Sequence, residues 1–85
     1  MTNNRELIER DKKYQHLKHV ILHLMCLDGY TPWMTFEEWL EALPGFSVMQ
    51  YRRKSNDMLD DTEIRCEYDR DSIPVRTRWV VRSAE

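Results

Sequence analysis

Imidazole and thiol groups recur along one predicted helix, at His16, His19, His23 and Cys26. The spacing i, i+3, i+7 and i+10 places all four on one stripe of a helix. A pair such as His19 and His23 can chelate a divalent metal, but four ligands on one straight helix cannot surround one tetrahedral ion. A metal site would therefore need a ligand from another element or a second chain, and the alternative is a polar or self-association surface. We predict no bound metal and no cofactor.

The sequence offers few other groups for catalysis. The chain has two glycines, so it lacks a Gly-rich phosphate-binding loop. It also lacks a nucleophile elbow and a zinc-hydrolase motif. Cys26 beside the histidines can be interpreted as a nucleophile with its base, but such a helical cysteine is more often a small packing residue. We expect a binding module rather than an enzyme.

Positive charge is concentrated at Arg52, Arg53 and Lys54, the only run of three bases. On a helix these side chains fan out over about 200°, so only part of the run can face one partner. Further arginines follow in the C-terminal half of the chain. They either face the same partner or pair across strands with Glu63 or Glu67.

The first element that must position these residues is a helix from near Asn4 to about Leu27, with Asn3 or Asn4 as its N-cap. Gly29 can take the left-handed conformation that follows a helix end. Residues 30–34 then form a loop, in which Trp33 is the aromatic residue expected to be most exposed. The apolar stripe of the helix contains Leu17, Val20, Ile21, Leu24 and Leu27, with Leu7, Tyr14 and Met25 at its margins.

Two shorter helices follow, each beginning with a capping box. The second starts at Thr35, with Glu38 as its reciprocal partner, and ends at Leu43. The third starts at Ser47, paired with Gln50, and ends near Leu59. The predicted buried residues are Phe36, Trp39, Leu40 and Leu43 on the second helix, and Val48, Tyr51, Ser55, Met58 and Leu59 on the third.

After Asp61 the hydrophobic period changes to two, which predicts an antiparallel β-hairpin. Its apolar face contains Ile64, Cys66 and Tyr68 on one strand and Val75, Thr77, Trp79 and Val81 on the other. The charged face contains Arg65, Glu67, Arg76 and Arg78, among others. The chain is therefore predicted to be an α+β protein, mainly α with a β-hairpin, in a single domain over residues 1–85.

The order helix, short helix, tight turn, helix and β-hairpin resembles the winged helix-turn-helix family over residues 4–82. The most specific stretch is Leu40–Arg53, which contains Gly45, Phe46 and Ser47. The family often has a glycine in the turn, then an apolar residue, then a Ser or Thr that caps the recognition helix. The resemblance implies three helices followed by a two-stranded wing, with the third helix in a DNA major groove.

The resemblance also implies which residues would contact double-stranded DNA. Arg, Gln and Asn can read guanine and adenine through paired hydrogen bonds, whereas phosphate contacts position the protein. Base edges would be faced by Met49, Gln50, Arg53 and Asn56, and phosphates by Arg52, Lys54, Arg70, Arg76 and Arg78. We expect a small DNA-binding regulatory protein of bacterial or phage type, acting as a homodimer through its first helix.

Charge favours a second interpretation, because the net charge is −2 and several acids would lie close to phosphates. These acids are Asp57, Asp60, Asp61, Asp69 and Asp71. Pro44, Tyr51 and Ser55 also depart from the family pattern. Winged helices also serve as protein-binding modules. The alternative is such a module or inhibitor, docking its partner on the acidic second helix or near Trp33 without binding DNA.

Cysteine content and hydropathy indicate the compartment. Two cysteines are too few for a disulfide-rich secreted scaffold. The first residues are polar and charged, unlike a signal peptide, and no apolar run approaches the roughly 20 residues of a membrane span. We expect a cytoplasmic protein with no membrane partner.

Overall fold

The computed structural model describes residues 11–82. The helices in this range are α1 (Lys12–Met25), α2 (Phe36–Glu41) and α3 (Val48–Asp57), the last continued by a 3-10 turn (Met58–Asp60). The strands are β1 (Met34–Thr35), β2 (Ile64–Asp69) and β3 (Arg76–Val81). The predicted α+β class is confirmed, as is the order of three helices followed by a hairpin. None of these helices has the length and apolarity needed to span a bilayer.

Helix α1 begins at Lys12 and not near Asn4, because Asp11 caps it. The Asp11 carboxylate accepts hydrogen bonds from the backbone amides of Lys13 and Tyr14, at 2.8 and 3.3 Å. These bonds satisfy amides that have no partner inside the helix. Asn3, Asn4 and Leu7, to which the sequence assigns capping and packing roles, lie outside the described residues.

The end of α1 also differs from the prediction. The helix stops at Met25, and Cys26 turns the chain with a φ of 51°. Leu27 is therefore fully exposed, and its predicted place in the apolar stripe is wrong. Gly29 has a φ of 81°, which confirms its predicted left-handed conformation.

Both predicted capping boxes are present. The Thr35 hydroxyl accepts from the amide of Glu38 at 3.2 Å, and the Glu38 carboxylate accepts from the amide of Thr35 at 3.0 Å. Ser47 and Gln50 exchange the same two bonds at 3.1 and 2.9 Å. The helices end earlier than predicted, α2 at Glu41 and α3 at Asp57.

The core lies between α1, the two shorter helices and one end of the sheet. Leu17 and Ile21 of the predicted stripe are fully buried, and Val20 and Leu24 pack against them. Tyr14 and Met25, predicted at the margins of the stripe, are buried as well. The remaining buried apolar residues are Trp39, Leu43, Tyr51, Met58, Ile64 and Trp79.

The sheet has three strands in the order β1–β3–β2, where the sequence predicts two. Residues 30–34, predicted as a loop, supply the extra edge: Met34 pairs with Thr77, and Tyr30 forms a bridge with Val80. A strand of two residues is too short to show a period of two, so its sequence carries no strand signature. The predicted pairing of β2 with β3 is confirmed.

Several residues predicted to be buried are exposed instead. They are Phe36, Val48 and Leu59 in the helical part, and Tyr68, Val75 and Val81 in or beside the hairpin. The helices cover only the end of the sheet that carries Ile64 and Trp79. A groove with aromatic walls therefore remains open between α3 and the hairpin.

Candidate functional site

Helix α3 presents one exposed face, formed by Met49, Arg52, Arg53 and Asn56. Residues 49 and 53, like residues 52 and 56, are one turn apart and therefore neighbours on the helix surface. Tyr51, on the opposite side, packs into the core. Four of the six contact residues predicted on this helix thus share a single surface.

The other two candidates on α3, Gln50 and Lys54, lie on a different flank and have partners within the fold. The Gln50 carbonyl accepts from the amide of Ser47 in the capping box. Lys54 forms an ion pair with Asp11, and this hydrogen bond lowers the pKa of the Asp11 carboxyl. Both side chains are half-buried. The structure does not bring them onto the exposed face.

The exposed face of α3 carries two positive charges and no carboxylate. The Arg52 guanidinium lies 5.3 Å from the centre of the Phe36 ring. Neither Arg52 nor Arg53 forms an ion pair with another residue of the range 11–82. Asp57, one turn beyond Arg53, forms no ion pair with it. Two cations therefore remain available to an external anion.

Arg78 is held on the outward side of the sheet. Its Nε donates to the Glu67 carboxylate at 2.7 Å, while Arg65 donates to the same carboxylate at 2.8 Å. These bonds lower the pKa of Glu67. The Arg78 guanidinium also lies 4.9 Å from the ring of Tyr30 and 4.5 Å from that of Trp33. The sequence left two alternatives for Arg78, a contact with the partner of α3 or an ion pair across the strands. The structure shows the ion pair across the strands.

Arg70 and Arg76 occupy the open end of the hairpin. Arg70, in the turn, lies 5.2 Å from the centre of the Tyr68 ring. Arg76 begins β3 and is exposed opposite Asp69. Neither arginine has an ion-pair partner among the described residues. Tyr68, whose ring Arg70 covers, also lines the groove beside α3.

The groove between α3 and the hairpin, which we call the helix–hairpin groove, has a volume of about 300 Å³. Arg52 and Asn56 line it from α3, and Tyr68 and Thr77 line it from the sheet. The sequence analysis did not find this groove. The only sequence feature that pointed to it is Tyr51, which departs from the family pattern on the buried side of α3 and which also lines the groove.

The histidine stripe of α1 does not form a metal site by itself. His16, His19, His23 and Cys26 are all exposed, and His16 packs edge-on against a phenylalanine ring at 5.5 Å. Within residues 11–82, no three His, Cys, Asp or Glu side chains are grouped so that they could hold a metal ion.

Asp61, predicted among the surface acids that face phosphates, is buried instead. Its carboxylate accepts from the Tyr14 hydroxyl at 2.6 Å and lies 3.0 Å from the Lys18 ammonium. Both partners are distant from Asp61 in sequence, although Tyr14 and Lys18 are one helical turn apart.

In comparisons with known proteins, no family model matches the chain, and neither a curated protein nor a solved structure is significantly similar to it.

Proposed function

We propose that this chain is a DNA-binding domain of the winged helix-turn-helix type, which inserts α3 into the major groove of double-stranded DNA. The supporting observation is the exposed face of α3, formed by Met49, Arg52, Arg53 and Asn56, which combines one amide with two cations that form no ion pair within residues 11–82. Arginine pairs bidentately with guanine and asparagine with adenine. A helix presenting these groups together has both the charge and the hydrogen bonds that base reading requires.

The remaining contacts with DNA are assigned to the basic side chains that have no ion-pair partner within residues 11–82. Arg53 and Asn56 read base edges, with Met49 in apolar contact beside them. Arg52, Arg70 and Arg76 contact phosphates, which fix the orientation of the domain without reading sequence. Gln50, Lys54 and Arg78 contribute less than the family resemblance implies, since each already has a partner within the fold.

A homodimer formed through α1 completes the proposal. A single domain of this size offers limited contact area, so useful affinity requires two half-sites. The exposed side of α1 carries Leu22 between His19 and His23. A regulatory role, by occupancy of an operator, is the simplest use of such a dimer.

A protein-binding module is the second candidate, favoured by the cluster on the outward side of the sheet. Tyr30 and Trp33 are 47% and 37% exposed, and the Arg78 guanidinium lies over both rings, 4.9 and 4.5 Å from their centres. Trp, Tyr and Arg are the residues that most often dominate binding energy at protein interfaces. This candidate predicts a partner seated on Trp33 and no binding to DNA.

The test is fluorescence anisotropy of a labelled mixed-sequence duplex titrated with the protein. We expect binding that weakens steeply as salt increases, because phosphate contacts release counterions. The double variant Arg52→Ala/Arg53→Ala should weaken it at least about tenfold. The control is Arg65→Ala, which removes one positive charge from the outward side of the sheet. It should change the affinity for DNA by less than about twofold.

Absence of binding by folded protein at low salt and tens of micromolar concentration would overturn the DNA proposal. The protein-binding candidate would then take its place. An equal loss in the control and the α3 variant would show non-specific attraction only, and would also count against insertion of α3.

A further inference from the structure

Tyr51 lines the helix–hairpin groove, and its hydroxyl has no hydrogen-bond partner in the described part of the chain. Tyr51 is 7% exposed, and its hydroxyl forms no hydrogen bond with any residue of the range 11–82. Buried polar groups are normally hydrogen-bonded. Every fully enclosed polar side-chain atom described has a partner, so this oxygen must open to the groove that Tyr51 lines. The hydroxyl can therefore donate a hydrogen bond to an acceptor that enters the groove.

The hydroxyl acts as a donor at neutral pH. Burial raises the pKa of Tyr51, and the neighbouring Cys66 and Tyr68 raise it further. Its ring is held by an edge-to-face contact with Phe36, with centroids 5.3 Å apart. The donor is therefore protonated and fixed in position before any ligand arrives.

Other free donors surround the same space. Arg52 lines the groove, its guanidinium lies 5.3 Å from the centre of the Phe36 ring, and it has no ion pair among the described residues. The Thr77 hydroxyl oxygen accepts from the Trp39 indole at 3.0 Å, which leaves its own hydrogen free to be donated. Asn56 adds an amide, and none of the described residues that line the groove has a carboxylate. This combination suits an anion.

The walls of the groove suit a flat apolar body. Phe36, Tyr68 and Trp79 line it, and its volume of about 300 Å³ has room for one or two rings. This volume lies at the lower end of the range for ligand pockets, which combine aromatic walls with a few polar groups. A bare phosphate would leave these aromatic surfaces unused.

We propose that the helix–hairpin groove binds a small aromatic carboxylate. Its carboxylate pairs with the Arg52 guanidinium and accepts from the Tyr51 hydroxyl, and its ring lies between Phe36 and Tyr68. The binding itself does not depend on DNA. One consequence does rest on the proposed function: Arg52 and Asn56 belong both to the groove and to the exposed face of α3, so the ligand would compete with DNA.

The test uses two matched probes, 1-naphthoate and the uncharged 1-naphthamide, titrated into the full chain without DNA. Binding is followed by ¹H–¹⁵N NMR spectroscopy. We expect saturable shifts for naphthoate at the amides of Arg52, Asn56 and Tyr68 and at the Trp79 indole. Naphthamide should bind at least about tenfold more weakly, as should naphthoate to Tyr51→Phe or Arg52→Gln, because each change removes a hydrogen bond to a charged group.

Tyr51→Phe keeps the ring that packs into the core, so a loss of affinity cannot be ascribed to unfolding. Arg65→Gln, on the outward side of the sheet, is the control and should bind naphthoate as the original chain does. The proposal is overturned if naphthoate gives no saturable shifts, if its shifts lie outside the groove, or if naphthamide binds equally well. Because no DNA is present, failure here leaves the DNA proposal standing, and failure of DNA binding leaves the ligand site standing.

Discussion

Asp61 is a carboxylate surrounded by donors. It accepts from the Tyr14 hydroxyl and from the amides of Glu63 and Ile64, and it pairs with Lys18. Burial alone would raise the pKa of Asp61, but the hydrogen bonds, the one from Tyr14 first among them, outweigh it and lower the pKa. The charged form of Asp61 therefore holds α1 against the start of β2.

This arrangement predicts a pH-dependent contribution to stability. A carboxyl whose pKa is lower in the folded chain stabilises the fold above its ordinary value of 3.8, and that contribution is lost as pH falls through the lowered folded value. Asp61→Asn should reduce the free energy of unfolding by about 1.5–3 kcal/mol at neutral pH. The difference should shrink below about pH 4.

Urea denaturation of both chains across this pH range measures the effect. Asp28→Asn, at an exposed position, is the control and should change stability by less than about 0.5 kcal/mol. A difference between Asp61→Asn and the original chain that stays constant with pH would refute the electrostatic explanation.

Arg53 and Lys54 are adjacent in sequence and should behave differently. Arg53 is exposed and forms no ion pair with any described residue, so Arg53→Ala should weaken binding to a cognate site by about 1–3 kcal/mol and leave stability unchanged. Lys54→Ala should instead lower the free energy of unfolding by up to about 1 kcal/mol through loss of its pair with Asp11. Anisotropy with cognate and mixed DNA, together with urea denaturation, separates the two. Equal losses on both DNAs would remove Arg53 from the base-reading residues.

The sequence contained the signals for some of these assignments and not for others. The capping box that predicts the start of α3 also assigns a partner to Gln50, so its structural role was predictable. The bond from Lys54 to Asp11 joins residues 43 positions apart. No local pattern predicts a partner at that distance, and the same holds for Arg78 between Tyr30 and Trp33.

At the level of elements, local chemistry again decides what can be predicted. Both capping boxes lie within four residues of chain, and the alternation in β2 and β3 spans six residues each. The edge strand β1 exists only because β3 offers it hydrogen bonds. The helix–hairpin groove depends on how far α3 lies from the hairpin, which residue patterns do not encode.

Thr31 is one of the residues that join the segment before β1 to the central strand. It is fully buried, its hydroxyl accepts from the amide of Trp79 at 3.1 Å, and its own amide donates to the carbonyl of Trp79 at 2.9 Å. Thr31→Val should lower the free energy of unfolding by about 1–3 kcal/mol, because it leaves a buried amide without an acceptor.

Thermal unfolding and hydrogen exchange at the Trp79 amide provide the measurement. Thr31→Ser keeps the hydroxyl and should retain most of the protection of that amide. If Thr31→Val exchanges no faster than the original chain, the hydrogen bond does not stabilise this edge.

For the whole molecule, the net charge of −2 conceals a local excess of positive charge. Four arginines on α3 and the hairpin lack an ion-pair partner in the described range: Arg52, Arg53, Arg70 and Arg76. Three of them, Arg52, Arg70 and Arg76, are assigned to phosphates, so binding by one domain should be about 40-fold weaker at about 200 mM salt than at about 50 mM. A salt titration of anisotropy measures the slope, and a slope near zero would mean that these arginines do not reach phosphates.

The sheet order β1–β3–β2 has a consequence for synthesis on the ribosome. The central strand is made after all three helices, yet it carries both Trp79, the buried partner of Thr31, and Thr77, the acceptor for the Trp39 indole. The nascent helices therefore wait with an open core until β3 has left the exit tunnel. Native structure should form as one event once β3 has emerged, and a nascent chain stalled before β3 emerges should remain sensitive to protease.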